Sequence, residues 1–425
     1  MEKLELIEYL CSKGHRGSTT GNERWAAGEM EKMFSEMGLH TKRQDFMGSQ
    51  TYGEKLAIHL GGALILAILP FMRSDLMIVI IPLLGFLIAS FYIEATYFIP
   101  VLSSVFPKRG SQNILAIQPS SGTTNKRILL VAHVDSQKEG SIFDPKLIEL
   151  MKGFASPTST ITPIHLTFLS IVGLLISSCF YLLDLGNSLS IIHGFVHLLL
   201  FAWALFSFLL VAEWMLNDVY VPGANDNASG VAVMMDLCST FSDENNGKNI
   251  RRPENRNGRG GKGGNVDSLE KEANDIEMCY LITGCEETGL GGAVSFIKEY
   301  RDWLNEKETC VMALDGLGSG NIHYFTGDGM LKILPYDQGL IETAREVAKV
   351  RFGEERPFIC RVFTDGLAFS ANEYRTITFG SLEKDKLITN YHWHTDTPEN
   401  IDKGSLDEAS GFLEAFLMKL LDPPK

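Results

Sequence analysis

No two cysteines in this chain form a C-x-x-C pair. The seven (Cys11, Cys179, Cys238, Cys279, Cys285, Cys310 and Cys360) are scattered and odd in number. Neither a disulfide framework nor a cysteine zinc site is indicated, which leaves free thiols in a reducing compartment. Positive charge is also scarce: 38 Lys and Arg against 52 Asp and Glu give a formal net charge of −14. A nucleic-acid partner calls for a basic face, so that partner class is excluded. Residues 1–12 carry charges throughout and lack an apolar core, so no cleaved signal segment is expected. Histidine is sparse too, with ten in 425 residues, and three of the ten fall in the segments singled out below.

Apolar residues, at 45% of the chain, are not scarce, and they are segregated. Four hydrophobic blocks lie at about 56–72, 76–98, 161–183 and 191–212. Each approaches the ~20 residues that span a bilayer core. Only Glu94 intrudes in the second block, while the first holds His59 and Pro70. Short polar breaks, Arg73-Ser74-Asp75 and residues 184–188, join them in pairs. Two hairpins would return the chain to the side it left, so all hydrophilic sequence is expected on one side of a lipid bilayer. Lys42, Arg43, Lys55, Lys108 and Arg109 stand near the spans on that side, against Arg73 in the short loops. The positive-inside rule then puts the hydrophilic part on the cytoplasmic side of a multi-pass integral membrane protein.

With the hairpins removed, the rest reads as one discontinuous α/β domain: residues 1–55, 104–160 and 214–425, interrupted by hairpins at 56–103 and 161–213. Short apolar runs at 127–132, 278–283 and 310–314 suit buried strands. Helical patterns from Thr20-Gly21-Asn22-Glu23 to about Gly38, at 230–241 and at 292–304 lie among them. Such alternation predicts a mostly parallel central sheet with helices on both faces. Residues 243–275, rich in Gly, Asn, Arg, Lys and Glu without apolar periodicity, read as a flexible surface loop.

In open α/β sheets, ligand sites form at the carboxyl ends of strands. Three expected strands run directly into metal-ligand chemistry. The first ends in His133, with Asp135 two positions on, where it can orient the imidazole or reach the far side of a metal. The second delivers Glu286 and Glu287, adjacent carboxylates that must point in different directions. The third ends at Asp315. A tight polar turn at 222–230 contributes Asp226, and a polar loop at 391–398 carries His392 and His394. Oxygen and nitrogen donors without thiolate suit zinc, with cobalt or manganese as alternatives. Asp365 is expected after another strand, as a group behind the ligands, in the substrate pocket, or as a helix cap.

Ala132-His133-Val134-Asp135-Ser136, residues 223–230 and residues 284–292 resemble the zinc metallopeptidase family of the bacterial leucyl aminopeptidases, whose fold is shared by the glutaminyl cyclases. The likeness covers most of the hydrophilic chain; the four hydrophobic blocks fall outside it. It implies two zinc ions bridged by Asp226, one held also by His133 and Asp315, the other by Glu287 and a C-terminal histidine. The family's histidine stands four residues before the Asp of Asp-Thr, which selects His392, with His394 close enough to compete. In the family the peptide bond after the bridging Asp is often cis. Glu286 would be the general base and Asp135 the support of His133, so that a metal-bridging hydroxide hydrolyses N-terminal residues from peptide substrates.

Two other enzymes remain open on the same fold: a glutaminyl cyclase with one zinc, and a carboxypeptidase using an arginine such as Arg361. A non-catalytic membrane scaffold is the reading from a different class. Substrate side-chain preference, oligomeric state, and whether the hairpins anchor the protein or gate substrate access are not legible.

Overall fold

A computed structural model describes residues 1–72, 76–118, 126–152, 163–183, 190–245, 276–305, 307–384 and 388–421. Most of the loop expected at 243–275, and the two polar breaks within the hairpins, lie outside the described residues. The chain begins with α1 (Lys3–Cys11) and α2 (Gly21–Glu36). Thr20 caps α2 by accepting from the Glu23 N–H, and the chain leaves it through Met37 into Gly38 at φ +84°. These are the stop and start signals the residue types encode.

The order then runs β1 (His40–Gly48), α3 (Gly53–Met72), α4 (Met77–Tyr97), β2 (Arg109–Ile117), β3 (Lys126–His133), α5 (Pro145–Lys152), α6 (Pro163–Leu183) and α7 (Ser190–Leu216). After a turn at Ala224–Ser229 come α8 (Gly230–Asn245), β4 (Ile276–Thr283), α9 (Gly291–Glu299), α10 (Arg301–Asn305) and β5 (Glu308–Leu314). The chain ends with β6 (Asn321–Asp328), β7 (Leu334–Pro335), α11 (Gln338–Phe352), β8 (Pro357–Ile359), α12 (Asp365–Ala371), β9 (Arg375–Leu382) and α13 (Lys403–Leu421).

One sheet holds these strands in the order β1-β2-β4-β3-β5-β9-β6-β7, with β8 on β6. Its centre, β4-β3-β5-β9, is parallel as expected. The flanks correct the mostly parallel reading: β1-β2, β2-β4, β6-β9 and β6-β7 are antiparallel, so the sheet is mixed. The reason lies in which strands the hydrophobic pattern reveals. The central strands are buried on both faces and read as apolar runs. Edge strand β1 is mostly exposed, with only Gln44 and Gly48 buried, and gives no such run.

Successive side chains of the central strands feed two apolar layers, following the two-residue period of a strand. Ile128, Leu130 and Ala132 of β3 face one layer together with Met312 and Leu314, under α1, α2, α8, α11 and α13. Leu129 and Val131 face the other with Leu281 and Val311. That second layer also receives Leu56, Leu60, Phe91, Ala95, Ile164, Val211 and Trp214, the sheet-proximal ends of the long apolar helices.

All four hydrophobic blocks are helical. Met77–Tyr97 and Ile191–Leu216 are long and apolar enough to cross a membrane by length and composition, and Ile164–Phe180 is a shorter apolar helix. Ala63, Ala67, Ile80, Leu84, Ile171, Leu174 and Ala204 form a third cluster where α3, α4, α6 and α7 meet. The outward side chains are also apolar: Ile65, Ile78, Leu169, Ile191, Leu199 and Leu209 are each more than half exposed. The six cysteines other than Cys179 are buried, and all seven are free thiols.

Candidate metal centre

The register of β3 against β4 sets His133 beside Thr283, and β5 ends one residue before Asp315. Three carboxyl ends therefore lie side by side, and the residues that follow them face one space. Beyond β4 the backbone turns sharply, with Cys285 at φ +53°. A non-glycine residue there costs about 1–2 kcal/mol, and the turn is held from several sides. The buried Glu23 carboxylate accepts the Cys285 N–H at 3.0 Å, and the Gly291 N–H donates to the Cys285 carbonyl at 2.8 Å. Gly292 lets this turn close on itself, since a Cβ there would lie 2.4 Å from the Gly284 carbonyl oxygen.

Asp135 does more than support an imidazole. Its carboxylate accepts the N–H groups of Glu286 at 3.1 Å and Glu287 at 3.2 Å, and the Ser18 hydroxyl at 2.6 Å. It also lies 3.6 Å from Nδ1 of His133. One carboxylate thus fixes the acidic pair and the histidine together.

Asp226 sits in the turn before α8, and the Asp226–Asn227 peptide bond is cis. The N–H groups of Asn225 and Asp226 donate to the two oxygens of Asp396, at 2.6 and 3.1 Å. The Asn227 amide donates to the Leu314 carbonyl at 2.8 Å. Held in this way, Asp226 divides its oxygens between two histidines. Oδ1 is 3.2 Å from Nε2 of His133, which is 3.7 Å from Asp315 and 3.9 Å from Glu286. Oδ2 is 3.2 Å from Nε2 of His392, which is 3.0 Å from Glu287. The structure brings His392 into the cluster at φ +53°. His394 points away, 61% exposed and paired with Glu139 at 2.7 Å.

Burial of so many carboxylates displaces their titration. Desolvation, with Asp226 adding to it, pushes Glu287 up to about 7. Desolvation and then the charges of Glu287, Asp315 and Asp365 drive Glu286 well above the carboxylate range against the pull of His133. Burial opposes the charged form of His392, but Glu287 and Asp226 outweigh it and bring the imidazole up to about 9. Asp226 goes the other way, its burial overcome by hydrogen bonds and charge from both histidines.

These residues fit cations. His133, Asp226 and Glu287 form one set of candidate donors, and His133, Glu286 and Asp315 another. Donors about 2.1 Å from a tetrahedral zinc stand about 3.4 Å apart, and the separations above bracket that value. Nε2 of His133 and Oε1 of both Glu286 and Glu287 are buried without a hydrogen-bond partner among the described residues. Polar atoms so placed are costly unless something binds them.

The cleft over the cluster is lined by Phe325, Val362, Phe363, Ile388 and Tyr391 beside Asp226, Glu286, Glu287, Asp315 and His392. Asp365 lies close by as the first residue of α12, not after a long strand. It accepts a short hydrogen bond from the Thr283 hydroxyl, and burial raises it to about 7.

Several supports escaped the sequence reading. Arg16 is fully buried, donating from Nε to the Val134 carbonyl at 2.8 Å and from its two terminal nitrogens to the Pro222 and Gly223 carbonyls, each at 2.7 Å. It ties the end of β3 to the Asp226 turn, and a lone arginine in a loop gives no sign of that. Glu23, Asn225, Asn227 and Asp396 stand inside the quoted motifs, yet only their contacts reveal what they hold. Gln137 and Phe143 carry no sequence signal.

Buried histidines and carboxylates thus converge at the strand ends of an α/β sheet, without thiolate, as a donor set that suits zinc. Residues 213–417 match the model of peptidase family M28, so the C-terminal half of the chain carries that family's pattern. No curated protein matches the sequence. Among solved structures the fold is similar to BSAP, a zinc aminopeptidase from Bacillus subtilis, with TM-score 0.53 and 13% identity over 99% of this chain and 94% of that one. It is similar also to a Zn-dependent exopeptidase from Parabacteroides distasonis (TM-score 0.52, 12% identity, 100% and 97% covered). A glutaminyl cyclase from Bacteroides thetaiotaomicron is another neighbour (TM-score 0.51, 11% identity, 100% and 97% covered). At these identities the likeness shows the fold.

Proposed function

We propose that the chain is a membrane-embedded aminopeptidase with two zinc ions. His133, Asp226 and Asp315 would hold one ion, and Asp226, Glu287 and His392 the other. The observation that carries this reading is the division of the Asp226 carboxylate between two histidines, each with its own second carboxylate. Zinc in such a site lowers the pKa of water and polarises a carbonyl.

The chain's own groups then have distinct tasks. Glu286 remains outside the five ligands, with Oε1 unpartnered among the described residues, so it can take a proton from the attacking water and pass it to the leaving amine nitrogen. The water oxygen ends in the new carboxylate. Asp135 keeps Glu286 aimed by gripping its N–H, and the apolar wall of Phe325, Val362, Phe363 and Ile388 suits an apolar first residue.

The membrane part of the proposal rests on the two helices of sufficient length and on the outward apolar side chains of all four. The hydrophilic domain would lie on the cytoplasmic side.

Detergent-purified protein supplied with zinc, tested on aminoacyl fluorogenic amides, decides the activity. Cleavage of free but not N-blocked substrates with two zinc ions per chain is expected. One zinc per chain, with cyclisation of N-terminal glutamine and no amide hydrolysis, would establish the cyclase instead. Extraction of the protein from membranes by alkaline carbonate would refute the embedding.

A further inference from the structure

The loop after Asp135 touches the metal cluster on one side and the end of α7 on the other. Gln137, buried at 3% exposure, donates its side-chain amide to Oε2 of Glu287 at 3.0 Å and to the Glu287 carbonyl at 3.0 Å. Phe143, also buried, meets the His392 ring edge to face, with centroids 4.6 Å apart and planes at 83°. Nδ1 of His392 has no hydrogen-bond partner among the described residues. The imidazole is therefore oriented by surfaces: Tyr391 stacked at 3.6 Å and Phe143 against it.

The same loop is fastened to the last turn of α7 and the residues after it. The Ser141 N–H donates to the Glu213 carboxylate at 2.9 Å. Trp214 packs edge to face on Phe143, centroids 5.1 Å apart at 88°. Gly140 fits flat beneath that indole, for a Cβ there would lie 2.9 Å from the Trp214 Cβ. Asn217 donates to the Glu139 carbonyl at 2.9 Å, and the Glu139 N–H to the Val219 carbonyl at 3.0 Å.

We infer that Gln137 and Phe143 are positioning residues for Glu287 and His392, and that the end of α7 holds both of them in place. The inference rests on the ligand roles proposed above. Ligands of a bound metal need an outer partner to fix their orientation, and losing one typically weakens metal binding by about 10–100-fold. Glu287 has Gln137 for this purpose, and His392 has Phe143 in place of the usual acceptor. His133 is set by its strand end together with Asp135, and Asp315 by its strand end in the central sheet. The end of one long apolar helix therefore governs one half of the cluster and not the other.

The test uses the full chain in detergent, with zinc affinities from chelator competition and the visible absorption of the cobalt(II)-substituted protein. Phe143→Leu and Gln137→Leu should each weaken one of the two ions by about 10–100-fold and change the cobalt spectrum of that half. Trp214→Ala should shift the same half in the same direction, while Ser141→Ala, on the exposed side of the loop, should match the parent. The two leucine variants act on different ligands, so failure of one to fold leaves the other decisive. Folded Phe143→Leu or Gln137→Leu protein with parental affinities and spectrum would overturn the inference. His392→Ala separates the underlying reading: an unchanged cobalt spectrum there would mean that His392 is no ligand.

Discussion

Glu286→Gln tests the chemistry with the least disturbance. The residue is 3% exposed, its Oε1 has no hydrogen-bond partner among the described residues, and its Oε2 is 3.9 Å from His133. Glutamine has the same shape, keeps the backbone N–H that Asp135 grips, and leaves the five proposed ligands untouched. What it loses is the ability to accept a proton. A positioned general base contributes about 10²–10⁴-fold, which at ~1.36 kcal/mol per tenfold is about 3–5 kcal/mol of barrier. The variant, loaded with zinc and checked for metal content, should therefore turn over a free aminoacyl amide about 10²–10⁴-fold more slowly at unchanged stoichiometry. Glu287→Gln supplies the contrast, since it should lower zinc affinity and recover part of its rate in excess zinc. A metal-loaded Glu286→Gln protein retaining more than about a tenth of parental turnover would refute the assignment of Glu286 as base.

Removing the metal should destabilise the fold, because the buried carboxylates then face one another unscreened. Each ion present at about 100 times its Kd contributes about 2.7 kcal/mol; at about 2.1 cal/mol/K of unfolding entropy per residue, removing both from a chain of 425 residues should lower Tm by about 6 °C, and an unchanged Tm in chelator would count against bound ions. Asp328 is wholly buried and pushed up to about 7 by desolvation, against hydrogen bonds from Thr364 and Tyr336. The native state then keeps a proton that the unfolded chain gives up near pH 4, so stability falls as pH rises from about 4 to 7, by up to about 4 kcal/mol. Asp328→Asn should flatten that slope and unfold at a higher temperature than the parent at pH 8; parallel melting curves across pH would sink the idea. Arg16→Lys replaces a planar fork of three donating nitrogens by one point nitrogen that cannot reach all three carbonyls, and losing two charged hydrogen bonds should cost about 3–6 kcal/mol in denaturant unfolding.

The part of the site that lies on central strands was legible because two-sided burial makes apolar runs, and the residue after such a run sits at the carboxyl end of a central strand. His133, Glu286, Glu287 and Asp315 follow from that argument. Asp226 and His392 lie in irregular turns whose shape depends on distant partners such as Asp396 and Arg16; residue type marked both turns as candidates, but only the family resemblance singled out Asp226 as the bridge and His392 over His394. The helix expected at 292–304 is broken at Tyr300 into α9 and α10, a local backbone choice that the apolar spacing does not encode. The mixed flanks of the sheet escaped because β2, paired with β1 on one side and β4 on the other, draws its partners from far along the chain.

That pairing of β2 also dictates an order of assembly. β2 and β3 are neighbours in sequence but not in the sheet, and the strand that joins them, β4, is made some 150 residues later. Both helical hairpins leave the ribosome before β4 exists. Until then β1-β2 and β3 are separate fragments with nothing between them, and the strand ends that carry His133 and Glu286 cannot meet. On the proposed topology, the hairpins are therefore placed in the bilayer first and the hydrolase closes around them afterwards, so an error in helix insertion would appear as an enzyme that never forms its centre.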